Sequence, residues 1–169
     1  MHTKPPVFIG IDPGAKGAVC VLLPSEQKAI FVNTDDAPVK ILKFLKTVAE
    51  SYDVRVIMIE RVHSVPQSTA KSNFTFGRNL GTIETVAAIT ELMVDTVPPK
   101  KWQKHIGLVV KPKLTAPERK KAIKHGVAAI AERLYPKVNI RGPQGGLLDG
   151  KSDALMIAHY ASQTHLIIE

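Results

Sequence analysis

The stretch VFIGIDPGAKGAVCVL, residues 7–22, constrains the fold more than any other part of the chain. Residues 7–11 are short, apolar and rich in β-branched side chains, the pattern of a strand buried within a sheet. Asp12 follows at once, and then Pro13, Gly14 and Gly17 mark a turn, because proline presets φ and glycine admits positive φ. AVCVLL (18–23) and KAIFVN (28–33) continue as strands around the turn-like PSEQ. Three consecutive strands with short connections predict an antiparallel meander. An acid at the tip of its buried first strand needs an explanation, since a desolvated carboxylate costs several kcal/mol unless it is paired or bound to a metal.

Downstream, residues 37–52 place Val39, Leu42, Leu45, Val48 and Ala49 at helical spacing, with lysines on the other face. VRVIMIE (54–60) is almost continuously apolar, which predicts an interior strand paired in parallel. Residues 69–93 carry Phe76, Leu80, Ile83 and Ala87 at helical spacing and read as one long helix. Gly77 and Gly81 lie four apart on it, each unfavourable by about 1 kcal/mol in a helix interior, so another backbone is expected to come close there. MVDTVP reads as a fifth strand and KKWQKHIG as one or two helical turns. A further helix begins near Thr115, its N-cap, with Pro117 in the first turn. The Gly-rich loop NIRGPQGGLLDGKSD leads into a closing amphipathic helix, DALMIAHYASQTHL. These elements predict an α/β fold with a mixed sheet of about five strands flanked by helices. With 169 residues, 44% of them hydrophobic, the chain can bury one ordinary core, so residues 1–169 are expected to form a single domain.

No window approaches the roughly 18 consecutive apolar residues of a membrane span. MHTKPP lacks the apolar core of a secretory signal, which predicts a cytoplasmic location. The single cysteine, Cys20, sits in an apolar run and reads as a small buried hydrophobe, which excludes a structural disulfide and a cysteine zinc site. Net charge is +8, unevenly distributed. Residues 1–97 carry ten Lys/Arg and ten Asp/Glu, whereas residues 98–151 carry thirteen against three. A neutral scaffold followed by a basic segment predicts a surface for a polyanion, most simply nucleic acid.

Asp12 ends the first strand and Glu60 the fourth. If those strands are parallel neighbours, both carboxylates emerge at one sheet edge, the edge where open α/β sheets bind ligands. Asp149 and Asp153 bracket the start of the last helix, where the helix dipole favours anions. Across Gly150, Asp149 is expected to lie outside that helix. Each acid alone has an ordinary reading as a turn, strand-end or helix-start residue. Four together require cations, and oxygen-only ligation selects Mg²⁺ or Mn²⁺. Two such ions can activate water and stabilise the leaving oxygen in phosphodiester hydrolysis.

IGIDPGAKGAV, VIMIERVH, FGRNLGTIETVAA and GKSDALMIAHYA, in this order, resemble the successive motifs of RuvC-type Holliday junction resolvases, within the RNase H-like superfamily. The resemblance implies a homodimeric, Mg²⁺-dependent endonuclease that nicks two symmetric strands of a four-way DNA junction. It matches Asp12 to the family's first-strand acid, Glu60 to its fourth-strand acid and Asp153 to the acid of its final helix. The family's remaining acid or histidine stands three residues before that last Asp. Gly150 occupies this place here, and Asp149 is the nearest acid. His63 falls where some relatives carry an aromatic wedge near the junction centre. Phosphate-binding lysines have no unique match, and Lys101, Lys104, Lys120, Lys121 and Lys124 are the candidates. The short chain and VPPKKWQKHIGL look like phage-encoded members.

The DPGAKG turn also resembles the phosphate hairpin of sugar kinases and actin, but those proteins need a second duplicated domain. A P-loop is excluded by spacing. Two alternatives stay open: a related RNase H-like nuclease acting on flapped DNA or RNA, and a junction-binding protein without catalysis. Trp102 reads equally as a core anchor or a base-stacking platform.

Overall fold

The computed structural model describes residues 4–61 and 69–165. Strands β1 (Pro6–Ile11), β2 (Ala18–Leu23) and β3 (Lys28–Asn33) open the chain, followed by helix α1 (Pro38–Ser51) and strand β4 (Asp53–Glu60). Helix α2 (Ala70–Ile89), strand β5 (Val94–Val97) and helices α3 (Pro99–His105), α4 (Ala116–Leu134) and α5 (Asp149–Thr164) complete it. The sheet order is β3-β2-β1-β4-β5. The first three strands form the expected antiparallel meander, while β4 is parallel to both β1 and β5. This is a mixed five-stranded α/β sheet flanked by helices.

Strand periodicity assigns the two faces. Val7, Ile9 and Ile11 of β1 point into one core with Ile41 and Leu45 of α1 and Ile83 and Ala87 of α2. Phe8 points the other way, into a core shared with Trp102 of α3, Val127 of α4 and Leu155 of α5. The strand is therefore apolar at nearly every position because both faces are covered. Cys20 is buried there too, as expected of a small hydrophobe.

Helix α5 is the element nearest the sheet. A side chain at Gly10 would collide with the backbone of Ala154 and Ala158, so glycine lets helix and strand touch. The helix starts at Asp149, four residues before the expected Asp153, so Asp149 lies within it. Gly150 is not a breaker but a contact: it bridges to Gly17, and a Cβ there would collide with the Lys16 carbonyl and lie 2.8 Å from Gly17 Cα. The β1–β2 turn thus occupies the space that a side chain at position 150 would need.

Two further expectations are corrected. Helix α2 ends at Ile89, not 93, because Glu91 takes a left-handed turn (φ 58°) that frees residues 94–97 to pair with β4. In α1 the buried stripe is Ile41, Leu45 and Val48, and Val39 is 56% exposed. No helix among the described residues is long and apolar enough to cross a membrane.

Candidate active site

The site begins where β1 ends. The Asp12 N–H donates to the Ala18 carbonyl at 3.1 Å, closing the hairpin, and Asp12 Oδ1 accepts from the Gly14 N–H at 2.9 Å. Thr34, just past β3, straps the turn from outside. Its hydroxyl donates to the Gly14 carbonyl at 2.8 Å and its N–H to the Gly17 carbonyl at 3.1 Å. The turn reading of Asp12 is thus realised, with one carboxylate oxygen engaged locally.

Glu60 closes β4, directly beside β1, with Ile11 opposite Ile59. Both acids therefore emerge at the same edge of the sheet. Glu60 is only 9% exposed, and its Oε1 accepts from the indole Nε1–H of fully buried Trp102 at 2.9 Å. Trp102 is a core residue, not an exposed stacking platform. A buried indole N–H requires an acceptor, and Trp102 lies five residues beyond Val97, which pairs with Glu60 in β5. Those two facts were the available signal for this contact, which sequence reasoning missed.

Helix α5 brings the remaining acids to this edge through the Gly17–Gly150 bridge. Asp149 and Asp153, four apart, share one helical face. Lys124 of α4 forms an ion pair with Asp149. The acids are coupled through their charges. Burial raises the pKa of Asp12, with the Gly14 N–H opposing and the Asp149 charge adding to the rise. Glu60 is pushed up to about 7, by burial first and then by the Asp12 charge, against the Trp102 hydrogen bond. Asp153 is held well above the usual carboxylate range by burial and by the charges of Asp12, Glu60 and Asp149. Burial and mutual repulsion thus disfavour the charged forms of Asp12, Glu60 and Asp153.

Among the described residues, no group of three or more His, Cys, Asp or Glu side chains is drawn together tightly enough to hold an ion. The donor chemistry nevertheless fits a hard divalent cation. All four acids supply oxygen, and neighbouring carboxylate charges act on Asp12, Glu60 and Asp153.

The predicted lysines separate. Lys124 stands beside the acids, and Lys120 and Lys121 are exposed on α4. Lys101 and Lys104 line a 630 Å³ cleft with Thr164 and His165, at the opposite end of α5 from the acids. Two cations absent from the sequence reading, Lys16 and Lys151, line a 390 Å³ cavity with Asn33 and Asp149. His63 lies outside the described residues.

No protein-family model matches the chain, and no curated protein sequence does. Solved structures do: the fold is that of RuvC, a mixed sheet with flanking helices. Thermus thermophilus RuvC in complex with a Holliday junction substrate is 15% identical, with a TM-score of 0.56 over 93% of this chain and 95% of that one. A second structure of Thermus thermophilus RuvC is 17% identical, with a TM-score of 0.55 over 94% and 97%. At these identities the likeness is one of fold.

Proposed function

We propose that this chain is a metal-dependent endonuclease that resolves four-way DNA junctions by symmetric phosphodiester hydrolysis, acting in DNA recombination and repair. The observation that carries this reading is the convergence of Asp12 and Glu60, at the ends of paired β1 and β4, with Asp149 and Asp153 of α5 at one sheet edge. A RuvC structure of the same fold holds a Holliday junction substrate, which supports this substrate class.

In this reading residues 1–169 act as one nuclease domain, and Asp12, Glu60 and Asp153 hold Mg²⁺ or Mn²⁺, with Asp149 as a fourth ligand. Such ions, when held by these residues, would supply charge neutralisation and a lowered pKa for water. The chain's own residues hold the geometry. The Asx turn at Gly14 orients Asp12, the end of β4 orients Glu60, and the first two turns of α5 orient Asp149 and Asp153. Lys124, released from Asp149 when the acids are neutralised, would face the DNA backbone. Lys120 and Lys121 extend that basic surface along α4, Lys101 and Lys104 would serve more distant parts of the junction, and His63, by resemblance, would meet the DNA near the junction centre. Two sites related by a two-fold axis are needed for paired nicks, and a homodimer supplies them.

The test is a competition. Purified protein with Mg²⁺ is offered a four-way junction, a flap, plain duplex and an RNA–DNA hybrid together. Preferential, symmetric nicking of the junction is the expected result. Preference for flap or hybrid would favour another RNase H-like nuclease, and junction binding without cleavage would favour a non-catalytic role.

A further inference from the structure

Trp102 makes a contact that the core alone does not require. A buried indole N–H is satisfied by any neutral acceptor, and a backbone carbonyl is the commonest. Here the acceptor is Oε1 of Glu60, a carboxylate only 9% exposed, at 2.9 Å. Placing an ionisable group there merely to satisfy an indole would be unfavourable, because desolvating a carboxylate is far harder than desolvating a carbonyl. The dependence therefore runs the other way, from indole to acid. Among the described residues Oε1 has this one donor, and none reaches Oε2. One carboxylate oxygen is thus clamped from the core side.

The clamp is itself rigid. Trp102 is fully buried, among the largest such side chains of the chain, in the core that α3 shares with α4 and α5. Helix α3 starts directly after β5, with Pro98 as N-cap and Pro99 at the first helical position, so its placement follows from β5. β5 pairs with β4 through Val97 and Glu60, so acid and indole are tied by backbone as well as by side chain.

We propose that Trp102 is a positioning residue of the candidate metal site. Its N–H holds Oε1 and so fixes the orientation in which the Glu60 carboxylate meets the divalent cation. The inference rests on the metal-dependent nuclease reading above. Partners that orient a metal ligand from behind are worth about 10- to 100-fold in metal affinity. Trp102 is also the chain's only tryptophan, so its emission reports on this site alone.

The experiment uses Mn²⁺ alone as the probe, on the full chain without DNA. Free Mn²⁺ is followed by electron paramagnetic resonance for wild type, for Trp102→Phe and for protein carrying benzothienylalanine at position 102. That analogue keeps the bicyclic shape and replaces the N–H by sulfur. Both altered proteins are expected to bind Mn²⁺ about 10- to 100-fold more weakly. Their cleavage rate at saturating Mn²⁺ should fall less than their half-saturation concentration rises. Wild-type Trp102 emission should be quenched by Mn²⁺ with the same midpoint as binding. Equal Mn²⁺ affinity in wild type and the analogue protein would overturn the role of Trp102 and leave the nuclease reading intact. Mn²⁺ binding without any change in Trp102 emission would do the same, even where Trp102→Phe fails to fold. Wild type that binds no Mn²⁺ at all would overturn the nuclease reading itself.

Discussion

Glu60 makes the electrostatic account of the site measurable. Its pKa rises from 4.5 to about 7 on folding, so the native state binds a proton that the unfolded chain releases. Stability is therefore full below about pH 4.5 and falls as pH rises through about 7. At 1.36 kcal/mol per pK unit the loss is on the order of 3 kcal/mol, and Asp12 and Asp153 act in the same direction. Denaturant unfolding in EDTA should show the metal-free protein weaker at about pH 8 than at about pH 5, with Glu60→Gln flattening the difference. Mg²⁺ should stabilise wild type more at the higher pH. A metal-free protein equally stable at both values would contradict the raised pKa. The α5 acids should also differ in consequence. Asp149 has a 35% exposed side chain already neutralised by Lys124, whereas Asp153 feels the charges of all three other acids. Asp153→Asn should abolish cleavage, and Asp149→Asn should leave a remnant that higher Mn²⁺ partly restores. The reverse ranking in an Mn²⁺ titration of both variants would mean that the α5 acids have exchanged roles.

At the level of elements, strands and acids were legible for the same reason. A continuously apolar strand has to be interior, so VFIGI and VRVIMIE declared themselves, and their terminal acids followed to one edge. The start of α5 was not legible. Glycine disfavours helix interiors, so Gly150 reads as a boundary, whereas its reason is a backbone contact with Lys16 and Gly17 that only the fold creates. The end of α2 was hidden similarly, because Leu92 and Met93 continue a helical pattern and only pairing with β4 makes the chain turn before them. Trp102 was recognised as a core candidate, but its acceptor belongs to a strand 42 residues away. Gly150→Ala tests the α5 contact. Overpacking of this kind costs about 1–3 kcal/mol, so unfolding should shift by that amount and cleavage should fall with it. An unchanged midpoint and unchanged activity would show that the turn yields freely. Helix α4 carries a separate expectation. If Lys120 and Lys121 each contact a phosphate, neutralising both should lower the slope of log affinity against log salt by about 0.9 per contact, nearly two in total. An unaltered slope would place the DNA elsewhere.

At the scale of the whole molecule, the first half of α2 presents a surface with no partner among the described residues. Its buried residues begin only at Ile83, Phe74 is 73% exposed, and a side chain at Gly77 or Gly81 would meet nothing within 4 Å. The close approach expected at these glycines is thus absent from the described residues of one chain and is assigned in the proposed dimer to a second copy. Gly81→Trp should leave the unfolding of the isolated chain little changed and weaken self-association, as read by sedimentation velocity at micromolar concentration. A wild-type monomer, with or without a junction, would contradict the dimer. The account as a whole turns on whether the four acids form a site that cuts DNA and does not merely bind it. The direct measurement pairs wild type with Asp12→Asn on a four-way junction in Mg²⁺, recording cleavage and affinity together. The amide removes a metal ligand and adds no negative charge, so cleavage should fall by orders of magnitude while affinity stays the same or rises. Comparable cleavage by the two proteins would contradict the metal-site assignment.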